Sequence, residues 1–138
     1  MDTKDELNFR VPATWYSMIK SASYTVGISI SDIVKMGLIK GLIRIYSEGY
    51  AVVDVVREMG RSEGLVPIKA SVPRWLKNAL RSFAQDLDMD VSSLARACLF
   101  VGLELYKGSV TLNIGLDDRE KRFVETMKSV FEGAESNG

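Results

Sequence analysis

Histidine is absent from the 138 residues and cysteine occurs once, at Cys98. A structural zinc site of the usual cysteine and histidine ligands cannot be assembled from one such residue, and one thiol cannot close an internal disulfide. The side chain that most often moves protons near neutral pH is missing with the histidine. No paired-carboxylate constellation, phosphate loop or nucleophile beside a base takes its place, so the chain is not expected to be an enzyme or to carry a cofactor. Long apolar runs are lacking too. A bilayer span needs about 20 such residues, and the segment from Ile33 to Ile45 is interrupted by Lys35, Lys40 and Arg44. The start, MDTKDELN, is acidic and polar, unlike a secretory signal. A cytoplasmic protein without a membrane partner is expected. Net charge is zero and the pI about 6.3, so the blanket positive charge of many nucleic-acid binders is also missing. The single cysteine reads as a small buried hydrophobe.

What the sequence has is a repeat, 61 residues apart and without a gap. Val11-Pro12 falls on Val72-Pro73, Ser21 on Ser82, Ser31 on Ser92, Leu38 on Leu99, and Gly41-Leu42 on Gly102-Leu103. Ile19 with Leu80, Lys20 with Arg81, Ile33 with Leu94 and Lys35 with Arg96 match conservatively. A unit of about 40 residues seldom buries enough surface to fold alone, so the two copies are expected to complete one core.

Each copy reads as strand, helix, turn, helix. Leu7, Phe9 and Val11 alternate with Glu6, Asn8 and Arg10, the period of a half-buried strand. Pro12 ends it, since proline cannot donate to a ladder but suits the start of a helix. Trp15, Ile19, Ala22 and Val26 then recur at helical spacing. Gly27 suits a left-handed helix end, and Ser29 followed by Asp32 forms a capping-box pattern. Ile33, Gly37, Leu38, Gly41, Leu42 and Ile45 share the inner face of the second helix. In the second copy Ile68, Ala70 and Val72 alternate, Pro73 ends the strand, Leu76, Leu80, Phe83 and Leu87 line a helix, Asp88 replaces Gly27, and Asp90 caps in place of Ser29. Antiparallel pairing of residues 6–11 with 67–72 within the chain is expected. Glycine inside a helix costs about 1 kcal/mol against alanine, so the small pairs Gly37/Cys98 and Gly41/Gly102 predict a close crossing of the two second helices.

Outside the copies, Tyr50–Met59 is apolar and of helical length. Asp117 and Glu120 form another capping box opening a helix with Leu116, Phe123, Met127, Val130 and Phe131 on one stripe, and the end, GAESNG, is expected to be disordered. That stripe either folds back on its own domain or associates with a second copy; both bury the same face.

Strand, helix, G-x-S-x-S-D turn and helix resemble the ribbon-helix-helix (MetJ/Arc) superfamily in tandem. GISISDIVKMGL (Gly27 to Leu38) is similar to its turn and second helix, and ELNFRVP (Glu6 to Pro12) resembles its ribbon. The resemblance covers roughly 6–48 and 67–108. It implies a mainly α fold with a two-stranded antiparallel ribbon, a duplicated ribbon-helix-helix forming an intramolecular pseudo-dimer; the residues outside it add a linker (49–66) carrying a short helix and a C-terminal helical extension (109–132). It implies a double-stranded DNA partner, with the ribbon in the major groove. Glu6, Asn8, Arg10, Lys69 and Ser71 would then read bases. Ser29, Ile30, Ser31, Lys35, Val91, Ser92 and Arg96 would hold phosphates. Asp88 and Asp90 put carboxylates where the second copy should meet a phosphate. The expected function is sequence-specific DNA binding, as a transcriptional regulator, most often a repressor in this family; tandem members include archaeal-virus regulators. The alternatives are a plasmid relaxosome or partition accessory protein, with the same DNA contact, and an interaction scaffold that has lost DNA binding. Localisation would be the cytoplasm, that of the host if the chain is viral.

Overall fold

Alternation writes the ribbon. The computed structural model describes residues 3–48, 64–112 and 115–136. Strand β1 spans Lys4–Pro12 and β2 spans Leu65–Pro73, each beginning two residues earlier and ending one later than the alternation alone marks. They pair antiparallel within the one chain, with Leu7 opposite Ala70, Phe9 opposite Ile68 and Asn8 opposite Lys69. Residues directly opposite share a face, so one face is apolar and buried by Leu7, Phe9, Val11, Ile68, Ala70 and Val72. Burying each of the larger of these side chains contributes about 1.5–3 kcal/mol.

Pro12 and Pro73 close the strands and stand immediately before α1 (Ala13–Val26) and α3 (Arg74–Asp86). Gly27 ends α1 at φ 80°, its N–H donating to the Ser23 carbonyl at 2.9 Å. The equivalent Asp88 takes φ 53°, so an aspartate occupies the same left-handed turn. The second helices follow: α2 (Ile30–Glu48) and α4 (Val91–Gly102). Ser29 Oγ accepts the Asp32 N–H at 3.0 Å, and the Asp90 carboxylate accepts the Ser93 N–H at 2.6 Å. Both caps satisfy an N–H that the helix itself leaves open.

The two second helices cross on their glycines. A Cβ at Gly41 would run into the Cys98 carbonyl, with Cys98 Cα 2.6 Å away; one at Gly102 would run into the Gly37 carbonyl. At Gly37 the obstacle is instead a side chain, Leu103 Cγ at 2.7 Å. Ile33, Leu38, Leu42 and Ile45 of α2 and Leu94, Cys98 and Leu99 of α4 are buried around this crossing. In α1 the inner stripe is shorter than its periodicity suggests: Trp15 and Ile19 are buried, but Val26 is 52% exposed, since the chain turns away at Gly27.

After a 3-10 turn at Leu105–Lys107 the chain returns as α5 (Asp118–Ser136). Its capping box forms reciprocally: the Asp117 N–H donates to Glu120 Oε1 at 3.0 Å, and the Glu120 N–H donates to Asp117 Oδ1 at 2.8 Å. The helix folds back on α3 and α2, burying Val124 and Met127 and half-burying Phe123 and Phe131. Lys40 of α2, 8% exposed, ties it down, donating to the Gly115 carbonyl at 2.6 Å and to Glu120 at 3.1 Å. Of the GAESNG end expected to be disordered, residues 133–136 instead continue α5 to Ser136, because extending a helix costs far less than nucleating one, and the last two residues lie outside the described residues. The apolar segment Tyr50–Met59 lies outside the described residues. The molecule is thus mainly helical around a two-stranded antiparallel sheet. Among the described residues no helix is long and apolar enough to cross a membrane.

Candidate nucleic-acid interface

The outer face of the ribbon is built by three opposed pairs, Glu6/Ser71, Asn8/Lys69 and Arg10/Pro67, all exposed. Lys4 extends the row on β1. Three cations (Lys4, Arg10, Lys69) therefore stand on this face with one carboxylate (Glu6), giving a local positive excess on a chain of zero net charge. Asn8 Nδ2 donates to Glu6 Oε1 at 3.2 Å. Among the described residues, neither the Arg10 guanidinium nor the Lys69 ammonium is engaged by a hydrogen bond or ion pair. All five expected base readers (Glu6, Asn8, Arg10, Lys69 and Ser71) thus share one surface. Lys4 shares it too, continuing the alternation of Glu6, Asn8 and Arg10.

The ribbon is gripped at both edges by hydroxyls of the second helices. The Ser71 N–H donates to Ser31 Oγ at 3.0 Å, and the Arg10 N–H donates to Ser92 Oγ at 3.1 Å. These residues turn their N–H groups away from the opposite strand, as alternate pairs of an antiparallel ladder do. Pro67, opposite Arg10, sits in the same outward class, so its missing N–H removes nothing from the ladder. The two bonds are related by the offset of the repeat, since Ser31 precedes Ser92, and Arg10 precedes Ser71, by 61 residues. Ser31 and Ser92 thus hold the ribbon through their side chains, a role the sequence pattern does not reveal.

Through these contacts the N-terminus of α2 flanks the β2 edge and that of α4 flanks the β1 edge. The N–H groups of Ile30 and Ser31, and of Val91 and Ser92, find no acceptor among the described residues, leaving a partial positive charge at each end. The two ends differ. Ser29 is a neutral cap, and Lys35 nearby is partly exposed, 3.9 Å from Asp32. Asp90 is an anionic cap that places a carboxylate at the α4 end.

Arg96 departs from its expected role as a phosphate contact. It is 7% exposed and donates from Nη1 to the Arg10 carbonyl at 2.8 Å and from Nη2 to Ser93 Oγ at 3.3 Å. Its charge supports the ribbon from beneath rather than facing a partner. Burial lowers its pKa from the usual arginine value, and the Asp90 carboxylate partly offsets that. Two more cations brace the strand: Lys77 donates to the Glu6 carbonyl at 3.0 Å, and Arg74 pairs with Asp5 at 3.3 Å. Among the described residues no cluster of histidine, cysteine, aspartate or glutamate could hold a metal ion. A scan against protein-family models and searches of curated proteins and of solved structures found no match.

Proposed function

We propose that the chain is a tandem ribbon-helix-helix protein that binds double-stranded DNA sequence-specifically, its ribbon lying in the major groove, and that it regulates transcription by occupying its site. The observation that carries this reading is a polar, cationic ribbon face flanked at both edges by helix N-termini with open N–H groups. A two-stranded ribbon fits the width of the major groove, where base edges are distinguishable. Arg10 and Lys69 suit guanine O6 and N7, Asn8 suits adenine N6 and N7, and Glu6 suits cytosine N4. The flanking N–H groups of α2 suit phosphate oxygens.

The tandem reading is supported by where the copies meet. The ribbon register centres on Asn8 and Lys69, which occupy one position in the two copies. The serine of each copy holds the strand of the other, and Gly41 and Gly102 meet the partner helix at equivalent places. Each copy supplies what the other lacks, as a pseudo-dimer requires.

The test is binding of duplexes selected from a random pool, followed by titration against salt. With roughly three or four phosphates neutralised, log K should fall with log salt at a slope near −3. Arg10→Ala should cost about 1–3 kcal/mol on the selected site. A parent protein that retains no duplex at low salt, or an Arg10→Ala variant that binds as tightly as the parent, would refute the reading.

A further inference from the structure

We propose that the ribbon reads its duplex from one end, so that a single chain prefers a non-palindromic site with its strongest base requirement under Arg10. The inference rests on the reading of the ribbon as a major-groove element. It follows from the register. A two-fold axis through the Asn8/Lys69 pair exchanges Arg10 with Ser71 and Glu6 with Pro67. For a symmetric reader these exchanges would leave the chemistry unchanged. Here neither does.

One end of the outer face presents Arg10 beside Pro67, the other Glu6 beside Ser71. Arg10 carries a planar fork of donors matched to the two acceptors of guanine. Pro67 offers no side-chain donor or acceptor. At the other end Glu6 is acceptor-only, Ser71 carries a single short hydroxyl, and Lys4, one step further out on the same face, is a point charge without the guanidinium fork. A guanine read at the first end is therefore not asked for again at its symmetry-related place. The backbone beneath is nearly symmetric, with Ser92 and Ser31 holding the Arg10 and Ser71 N–H groups at 3.1 and 3.0 Å. The asymmetry lies in side chains and not in the presentation of the strands. It is therefore removable by substitution. Ser71→Arg alone would set the new guanidinium against Glu6, its direct neighbour across the ribbon, where the carboxylate would capture it. The informative variant is the double substitution Glu6→Ala with Ser71→Arg, which reproduces at the second end the arrangement of Arg10 with an uncharged neighbour.

The experiment is selection from random duplexes followed by sequencing, with one chain per duplex verified by native mass. Three proteins are compared: the parent, Arg10→Ala, and Glu6→Ala/Ser71→Arg. The parent should yield a non-palindromic consensus with a guanine requirement at one end. Arg10→Ala should lose that requirement, weakening on the parental site by roughly 5- to 150-fold, while the preference at the other end persists. The double variant should select guanine at both ends, around a centre that stays unsymmetric because Asn8 and Lys69 still differ. An inverted repeat from the parent, or a guanine requirement that survives in Arg10→Ala, overturns one-ended reading while leaving DNA binding in place. A parent that retains no duplex overturns the DNA reading and this inference with it.

Discussion

Adding one methyl group at Gly41 tests the helix crossing, because two well-understood effects oppose each other there. In a helix interior, glycine to alanine stabilises by about 1 kcal/mol. At Gly41 the new Cβ would run into the Cys98 carbonyl group, and at Gly102 into that of Gly37. Backbone cannot rotate aside as a side chain can, so the helices must separate and the contacts around Leu38, Leu42, Leu94 and Leu99 loosen with them. Overpacking costs typically 1–3 kcal/mol, and an obstacle made of backbone belongs at about 3 kcal/mol. The net prediction is destabilisation of about 2 kcal/mol, or a Tm lowered by roughly 8 °C in a chain of this size. Gly37→Ala is the graded comparison, since its obstacles are the buried Leu103 and Leu99 side chains; repacking side chains costs less than moving backbone, so its destabilisation should be smaller than at the other two. Thermal and urea unfolding followed by circular dichroism would measure all three variants. If Gly41→Ala and Gly102→Ala raise Tm, the close crossing is wrong.

Glu120→Ala should cost about 1.5–3 kcal/mol, because it strips the carboxylate from the Lys40 ammonium, whose side chain is only 10% exposed, and from the Asp117 N–H that it caps; replacing both as Lys40→Met/Glu120→Leu should recover, in the same unfolding assay, the ion-pair share of that loss but not the cap. Burial pushes the Cys98 thiol pKa far above its usual range, so at pH 8 a thiol reagent should label the unfolded but not the native protein, and fast native labelling would contradict the packing. Asp90→Ser keeps a cap on α4 while removing a carboxylate from the interface. It should tighten binding to all duplexes by about 2- to 5-fold, the worth of one charge at a helix end, and an unchanged affinity would show that this helix end does not approach the DNA.

Much of the fold can be read from local pattern. The ribbon follows from Leu7, Phe9 and Val11 against Ile68, Ala70 and Val72; the turns follow from Gly27, Ser29 and Asp90; the crossing follows from glycines that a helix would otherwise avoid. What escapes local pattern depends on partners distant in sequence. Lys35 and Arg96 occupy one position in the repeat and carry one charge, yet Lys35 stays partly exposed beside Asp32 and Arg96 is buried against the Arg10 carbonyl. The guanidinium fork can satisfy a carbonyl and the Ser93 hydroxyl together while buried, which an ammonium on a flexible stem does less well. Likewise Ser31 and Ser92 read as helix-start residues, and only the folded chain brings their hydroxyls to strands 40 and 82 residues away. In α5 the outward drift of Val130, 55% exposed, and the burial of Val124 reflect the angle at which the helix meets α3. Periodicity within one helix carries no information about that angle.

Methylation interference on a selected duplex addresses the central claim most directly, because guanine N7 lies only in the major groove and adenine N3 only in the minor groove. The ribbon reading predicts that N7 methylation of the guanine under Arg10 abolishes retention by the parent protein, that the same methylation has no further effect on Arg10→Ala, and that adenine N3 methylation at the centre of the site is tolerated. Retention that is indifferent to N7 methylation but lost on N3 methylation would place the protein in the minor groove and contradict the account.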